Sequence, residues 1–460
     1  MCDRADARVV IGAAVLGLVL GVVLGAVQDE VAVPPPVPDW NHDIAPLVGR
    51  ACATCHQAGG AGPFRLDRRN DFARRGEFVL ELVDEGRMPP WLGRGDGWRD
   101  DRRLSSDDKS LLRRWIQAGA PIDRSDPDAP AITATVPAST KVPGRTEMRA
   151  VDGEFTLPME SDPAWHQGEI DQRGNTIPLG NQTPWRVRGI EIDTGAAQAM
   201  RVASIVFDDT GAGRYLDDRD PRVGFLMAGD AGLSPSGAHG VILGGVDRLR
   251  WPDGFHLPVP VGADAVVEWH YRPTGVEETM RPRLMFELLS EEEAVGSRPL
   301  RWLPVGLGRI KIGAEAVATM ESSMVEVPVE VDLVGVTPRG LEIATAMQLR
   351  AFAPDSPSDA AGEVVIRFED WDHHQRETII SETPRRLAAG TRFQASFRLD
   401  NRSENPSNPD SPAKDIARGR RTGVLAILLH LAAVEADDDA SLAECGPEAV
   451  KALMRPRRGP

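Results

Sequence analysis

Cys52-Ala53-Thr54-Cys55-His56 forms a C-x-x-C-H run, a spacing suited to covalent haem attachment. Two thiols one helical turn apart can form thioethers to the two vinyl groups on one edge of a porphyrin. The histidine that follows then brings its imidazole under the iron as the proximal axial ligand. The motif predicts one haem c held by Cys52, Cys55 and His56. A redox dithiol accounts for C-x-x-C but not for the histidine, and a zinc site needs further thiolates that this stretch lacks.

A six-coordinate iron needs a second axial ligand. Met88 is the only methionine between Met1 and Met148, and it opens Met88-Pro89-Pro90-Trp91, where two prolines stiffen the backbone beside a flexible thioether. His42 is the competing ligand, and His/His ligation would lower the potential relative to His/Met. Met88 as a gap-filling core residue is the plainer alternative.

The elements that must position these residues are short helices. Asp43 to Arg50, Asp71 to Glu85 and Asp107 to Ala118 read as helical, the last with Ser105 and Asp108 spaced as a capping box and Leu111, Leu112, Trp115 and Ile116 as its apolar stripe. Gly119 and Pro121 end it. A mono-haem domain over 41–124 results, followed by a linker, 125–148, rich in Asp, Pro, Ala, Ser and Thr. From about Arg149 to Ala436 short alternating runs separated by Gly, Pro, Asp and Asn have β-sandwich texture. That length suits two sandwiches in tandem, 149–300 and 301–436. The tail, 437–460, carries an acidic cluster, a short helix and a basic end.

Residues 9–27 are uncharged and apolar, long enough to cross a bilayer, and are preceded by Arg4 and Arg8 and followed by Asp29 and Glu30. An uncleaved anchor is favoured over a cleaved signal. The cytoplasmic N-terminus is then 1–8, the Pro-rich spacer 28–40 follows the anchor, and the bulk of the chain is extracytoplasmic. Gly17, Gly21 and Gly25 recur every four residues, a face on which a second transmembrane helix could pack. The 460 residues carry a formal charge of −16, which disfavours nucleic acid as a partner. Cys2 and Cys445 lie apart from the motif, so no disulfide is expected.

Residues 43 to 121, with C-x-x-C-H, Gly62-Pro63-Phe64, Gly86 to Trp91 and Trp115 to Pro121, resemble the cytochrome c module at the head of certain bacterial copper monooxygenase-like proteins. Downstream, Phe155 to Pro158, Trp269-His270-Tyr271 with Thr274-Gly275, and Asp400-Asn401 with Asn405 to Pro409 resemble segments of the copper type II, ascorbate-dependent monooxygenases, which include peptidylglycine α-hydroxylating monooxygenase. The resemblance implies two jelly-roll sandwiches facing across a cleft, one copper on each. One copper would be held by three histidines, two of them adjacent, the other by His-x-His and a methionine. Here Ala203 and Ser204 stand in place of the adjacent pair, Ala346 and Gln348 in place of His-x-His, and Gly423 to Leu429 holds no methionine. His270 alone matches a ligand position. His373-His374 falls too late in the chain to replace the pair and reads as ordinary surface or structural histidine; His166, His239, His256 and His430 are scattered.

Three functions follow as expectations. The first is a membrane-tethered c-type cytochrome that transfers electrons with a redox partner protein, its β region a docking or scaffold module. The second is a copper-dependent monooxygenase fed by the haem, with His270 a residual copper ligand. The third is a protein- or glycan-binding module of a larger redox assembly.

Overall fold

The computed structural model describes residues 36–90, 93–95, 97–99, 101–121, 145–150, 155–157, 166–167, 170–226, 240–243, 246, 248–357, 360–373, 376–418 and 425–454. The apolar stretch 9–27 and residues 125–144 of the expected linker 125–148 lie outside them, as do Trp91, His239 and His374; the linker's last four residues are instead strand, part of Arg145–Ala150 paired antiparallel with Arg283–Leu288. Among the described residues no helix is long and apolar enough to cross a membrane. The chain is mostly β-sheet with few helices.

A group of short helices forms the N-terminal module. A π-helical turn, Trp40–Ile44, runs into α1 (Ala45–Ala51); α2 (Arg69–Ala73), α3 (Gly76–Asp84) and α4 (Ser106–Gln117) follow. The expected helix over 71–85 is two helices, because the chain turns at Arg74 and Arg75 before restarting at Gly76. Apolar spacing hides this break, since Phe72, Val79, Leu80 and Val83 face one core with or without it. The capping box of α4 forms as expected: Ser105 accepts from the Asp108 N–H and Asp108 accepts from the Ser105 N–H. Trp40, Phe72 and Trp115 pack together at the centre with ring centroids 5.2 to 5.9 Å apart, Phe72 edge-on to Trp115 and the other two pairs tilted.

Two apolar cores fill the β region. The first lies between a sheet built on Trp185–Asp193 and Arg283–Leu288 and a sheet ordered Ile170–Pro178, Asp264–Tyr271, Met200–Asp208, Gly240–Leu243. The second lies between a sheet built on Glu363–Glu369, Ala344–Phe352 and Arg392–Asn401 and a sheet ordered Arg301–Leu307, Leu425–Ala433, Val331–Arg339, Ile379–Leu387. The two cores meet: Val334, Ile380 and Ala432 from the second pair of sheets join the first cluster. Strands Asp264–Tyr271, Val331–Arg339 and Leu425–Ala433 are accordingly buried on both faces. Downstream of the β region, a helix at Asp439–Met454 packs on Arg301–Leu307; it is longer than the short helix read from sequence.

One segment of the helical module belongs to the β region. Gly93–Arg94 pairs antiparallel with Glu363–Glu369, Trp98 bridges to Ser381, and the Arg99 N–H donates to the Ile380 carbonyl at 2.8 Å. The buried Arg102 guanidinium pairs with Glu377. A Cβ at position 93 would lie 2.7 Å from Ile379 Cδ1, so glycine permits this close approach.

Candidate haem site

Helix α1 delivers the motif. Cys52 caps its C-terminus, its N–H donating to the Val48 carbonyl, and the Cys55 and His56 N–H groups both donate to the Cys52 carbonyl, at 3.3 and 3.0 Å. Cys52 is buried, Cys55 half-buried and His56 buried. Burial pushes the Cys52 thiol up to about 12, with the neighbouring Cys55 adding to the rise. A thiol-exchange site requires a lowered value, so this environment disfavours redox dithiol chemistry.

The loop after the motif folds back on it. The Gly62 N–H donates to the Cys55 carbonyl at 2.9 Å, while Leu66 and Asp67 N–H groups donate to the His56 carbonyl at 2.8 and 3.2 Å. His56 Nδ1 lies 2.8 Å from the Phe64 carbonyl, an acceptor only, so Nδ1 carries the proton and Nε2 is the nitrogen with a free lone pair. The same backbone bond fixes the ring's orientation, as a carbonyl on the far nitrogen does for metal-bound histidines. Burial holds the imidazole below its ordinary value, against the Phe64 hydrogen bond, which favours the neutral, ligating form.

Gly62 makes this geometry possible. A Cβ there would meet His56 Nδ1 at 2.5 Å, Cγ at 2.8 Å and Cε1 at 2.9 Å. Gly62→Ala is therefore expected to displace the ring, lower the melting temperature and reduce haem content per chain, at a cost of about 1–3 kcal/mol. Full haem loading with an unchanged melting temperature would contradict it.

Met88 follows α3 through a turn at Gly86 (φ 74°), its N–H donating to the Leu82 carbonyl at 3.2 Å. It is half-buried and packs against the core cluster that contains Cys52. His42 sits elsewhere: its side chain is 88% exposed and bonded to Asp39. Of the two candidate ligands, only Met88 faces the module's core.

His270 is fully buried in the seam between the two β cores. Alternation along Asp264–Tyr271 puts Glu268 and His270 on one face, with Nε2 2.8 Å from Glu268 Oε1 and 2.9 Å from Arg376 Nη2. Arg376 and Arg339 flank the Glu268 carboxylate at 3.4 and 3.6 Å. The His373 ring lies 5.4 Å from His270, but its Nδ1 bonds the Gly340 carbonyl at 2.8 Å. This donor set does not suit copper: Nε2 is wedged between a carboxylate and a guanidinium, and two fixed cations oppose a metal ion. Among the described residues no group of three or more His, Cys, Asp or Glu side chains could hold a metal. Strands Met200–Asp208 and Ala344–Phe352 carry Ala203, Ser204, Ala346 and Gln348 as paired ladder residues, with a register shift between Ala344 and Ala346. His256 bonds Ser297, and His430 bonds Thr337 beside Trp251.

The partners of His270 are not visible in its local sequence. Arg376 and Arg339 come from the other β core, over 60 residues away in sequence, and no local pattern announces them.

No protein-family model matches the chain, and no curated protein matches it. Solved structures overlap with it loosely. The structure of PNGF-II in space group C2 shares 7% identity over 62% of this chain and 65% of that chain, with a TM-score of 0.23. The Sulfolobus turreted icosahedral virus structure shares 9% over 68% and 99%, also at 0.23. The fucolectin from striped bass serum shares 7% over 63% and 96%, at 0.15. Overlaps this loose assign neither fold nor function.

Proposed function

We propose that this chain is an electron carrier: a c-type cytochrome tethered to a bacterial membrane through residues 9–27, exposed on the periplasmic side, exchanging electrons with a redox partner protein. The observation that carries the reading is the His56 ring, its Nδ1 bonded to the Phe64 carbonyl over Gly62, in a C-x-x-C-H motif. A haem c there would supply a one-electron Fe(III)/Fe(II) couple. Cys52 and Cys55 would hold it covalently, His56 would ligate through Nε2, and Met88 would be the second axial ligand. The β region, which we read as two tandem jelly-roll sandwiches, would serve as docking or scaffold module.

The basic residues of the helical module do not by themselves define a docking face. Arg65, Arg74 and Arg87 sit beside Asp67, Asp71 and Glu85, and Arg50 pairs with Asp108. If docking is electrostatic, reduction by the partner slows steeply with rising salt.

Met88→Ala tests the ligand assignment. It is expected to abolish the weak thioether-to-iron band of the oxidised protein and to lower its potential while leaving the haem covalently attached. An unchanged band would overturn the assignment of Met88. The copper-dependent reading is tested separately: copper near one equivalent per haem, lost on His270→Ala, would replace the scaffold role with an oxygenase.

A further inference from the structure

The β region reaches into the haem loop through one side chain. Arg201, on strand Met200–Asp208, donates from Nη1 to the Ala61 carbonyl at 3.2 Å across 140 residues of sequence. Ala61 is buried in the turn that the Gly62 N–H ties to the Cys55 carbonyl. A Cβ on Gly60 would lie 2.3 Å from that same carbonyl, so the loop presses directly on the second attachment residue. A second cation stands at the same strand end: Tyr271 pairs with Met200, and the Arg272 N–H donates to the Ala199 carbonyl at 2.8 Å.

We infer that Arg201, supported by Arg272, sets the reduction potential of the haem from the β region, which makes that region an electrostatic part of the redox centre as well as a scaffold. This rests on the haem reading above. The iron couple gains one negative charge on reduction, so a fixed cation beside it favours the reduced form and raises the potential. Arg50, Arg65 and Arg87 have carboxylate partners that offset their fields, whereas no carboxylate among the described residues forms an ion pair with Arg201. Its surroundings agree with the placement: burial lowers the pKa of the Arg201 guanidinium and the neighbouring Arg272 charge lowers it further, so the two cations lie within one another's field. Among cations on the β region, Arg201 contacts the loop itself.

The experiment is a potentiometric titration of the full-length haem-loaded protein with Arg201→Gln, Arg201→Lys and Arg272→Gln. Arg201→Gln is expected to lower the reduced-to-oxidised ratio at fixed ambient potential about fivefold; a tenfold change would be about 59 mV for one electron. Arg201→Lys keeps the charge and is expected to retain most of the wild-type ratio. Arg272→Gln, at an exposed position, is expected to shift it the same way by a smaller factor, and it carries the test should Arg201→Gln not fold. Unchanged potentials in Arg201→Gln and Arg272→Gln, with haem c present, would overturn the inference alone. Absence of a haem c spectrum from the wild-type protein would overturn the haem reading on which it rests.

Discussion

Replacing Cys52 and Cys55 together with serine is expected to leave the polypeptide with no covalent haem at all. A serine hydroxyl does not add to a porphyrin vinyl, so both thioethers are lost, and His56 with Met88 could hold haem only by coordination. Staining for haem after denaturing electrophoresis reads this directly, in cells that also make the haem c attachment machinery. Wild type should give a stained band and the double variant none. Each single variant keeps one thiol and should give a band of reduced intensity. Haem retained by the double variant under denaturing conditions would show that these cysteines are not the attachment points. His56→Ala separates attachment from ligation: the thiols remain, but the proximal nitrogen is gone.

Removing the carboxylate of Glu268 is expected to produce the largest loss of stability in the β region. Its side chain is 7% exposed and balances Arg376 and Arg339 in the seam between the two cores. Burial alone would raise its pKa, yet Arg376, the His270 hydrogen bond and Arg339 together bring it down to about 2. Glu268→Ala removes the buried carboxylate that two buried guanidinium groups share, and breaking a buried pair from one side typically costs about 3–5 kcal/mol. Denaturant unfolding should show it as a fall in midpoint, and a change below about 1 kcal/mol would contradict the assignment. Glu268→Leu combined with Arg376→Met should recover much of the loss, because it removes charges from both sides of the pair.

The same groups dictate the pH profile. Glu268 is depressed in the folded chain from an ordinary 4.5, so its contribution is present above pH 4.5 and is lost as pH falls towards 2. Burial holds His256 at about 4 and His430 at about 3, both from an ordinary 6.5. The unfolded chain therefore binds protons that the folded chain refuses, and each of these histidines removes up to about 1.4 kcal/mol per pH unit below 6.5. Stability should decline from about pH 6.5 and more steeply below 4.5.

What the sequence displayed was local, and what it hid was distant. The capping box at Ser105 and Asp108 lies within one turn, and it is present. Alternating runs announced a β-rich region because strand periodicity is a property of neighbouring residues. The two-residue strand Gly93–Arg94 could not be seen, since it has no period to read and its partner lies some 270 residues on. Cys52, Cys55 and His56 stand out in the sequence because the haem attachment proposed for them demands adjacency. The Phe64 carbonyl that orients His56 was not, although Gly62-Pro63-Phe64 was conspicuous; the close approach that excludes a Cβ at 62 emerges only from the folded loop. His270 showed the opposite failure. Its residue type and neighbours resembled a copper ligand, while the guanidinium that occupies its coordinating face comes from the other β core.

The central claim is that one haem is joined covalently to this chain, and intact-mass spectrometry of the denatured full-length protein, produced with haem c maturation, tests it most directly. The expected mass is that of the polypeptide plus one haem, with the addition mapping to the peptide that holds Cys52 and Cys55. A mass equal to the unmodified polypeptide, or one lower by only the two hydrogens of a Cys52–Cys55 disulfide, would contradict it.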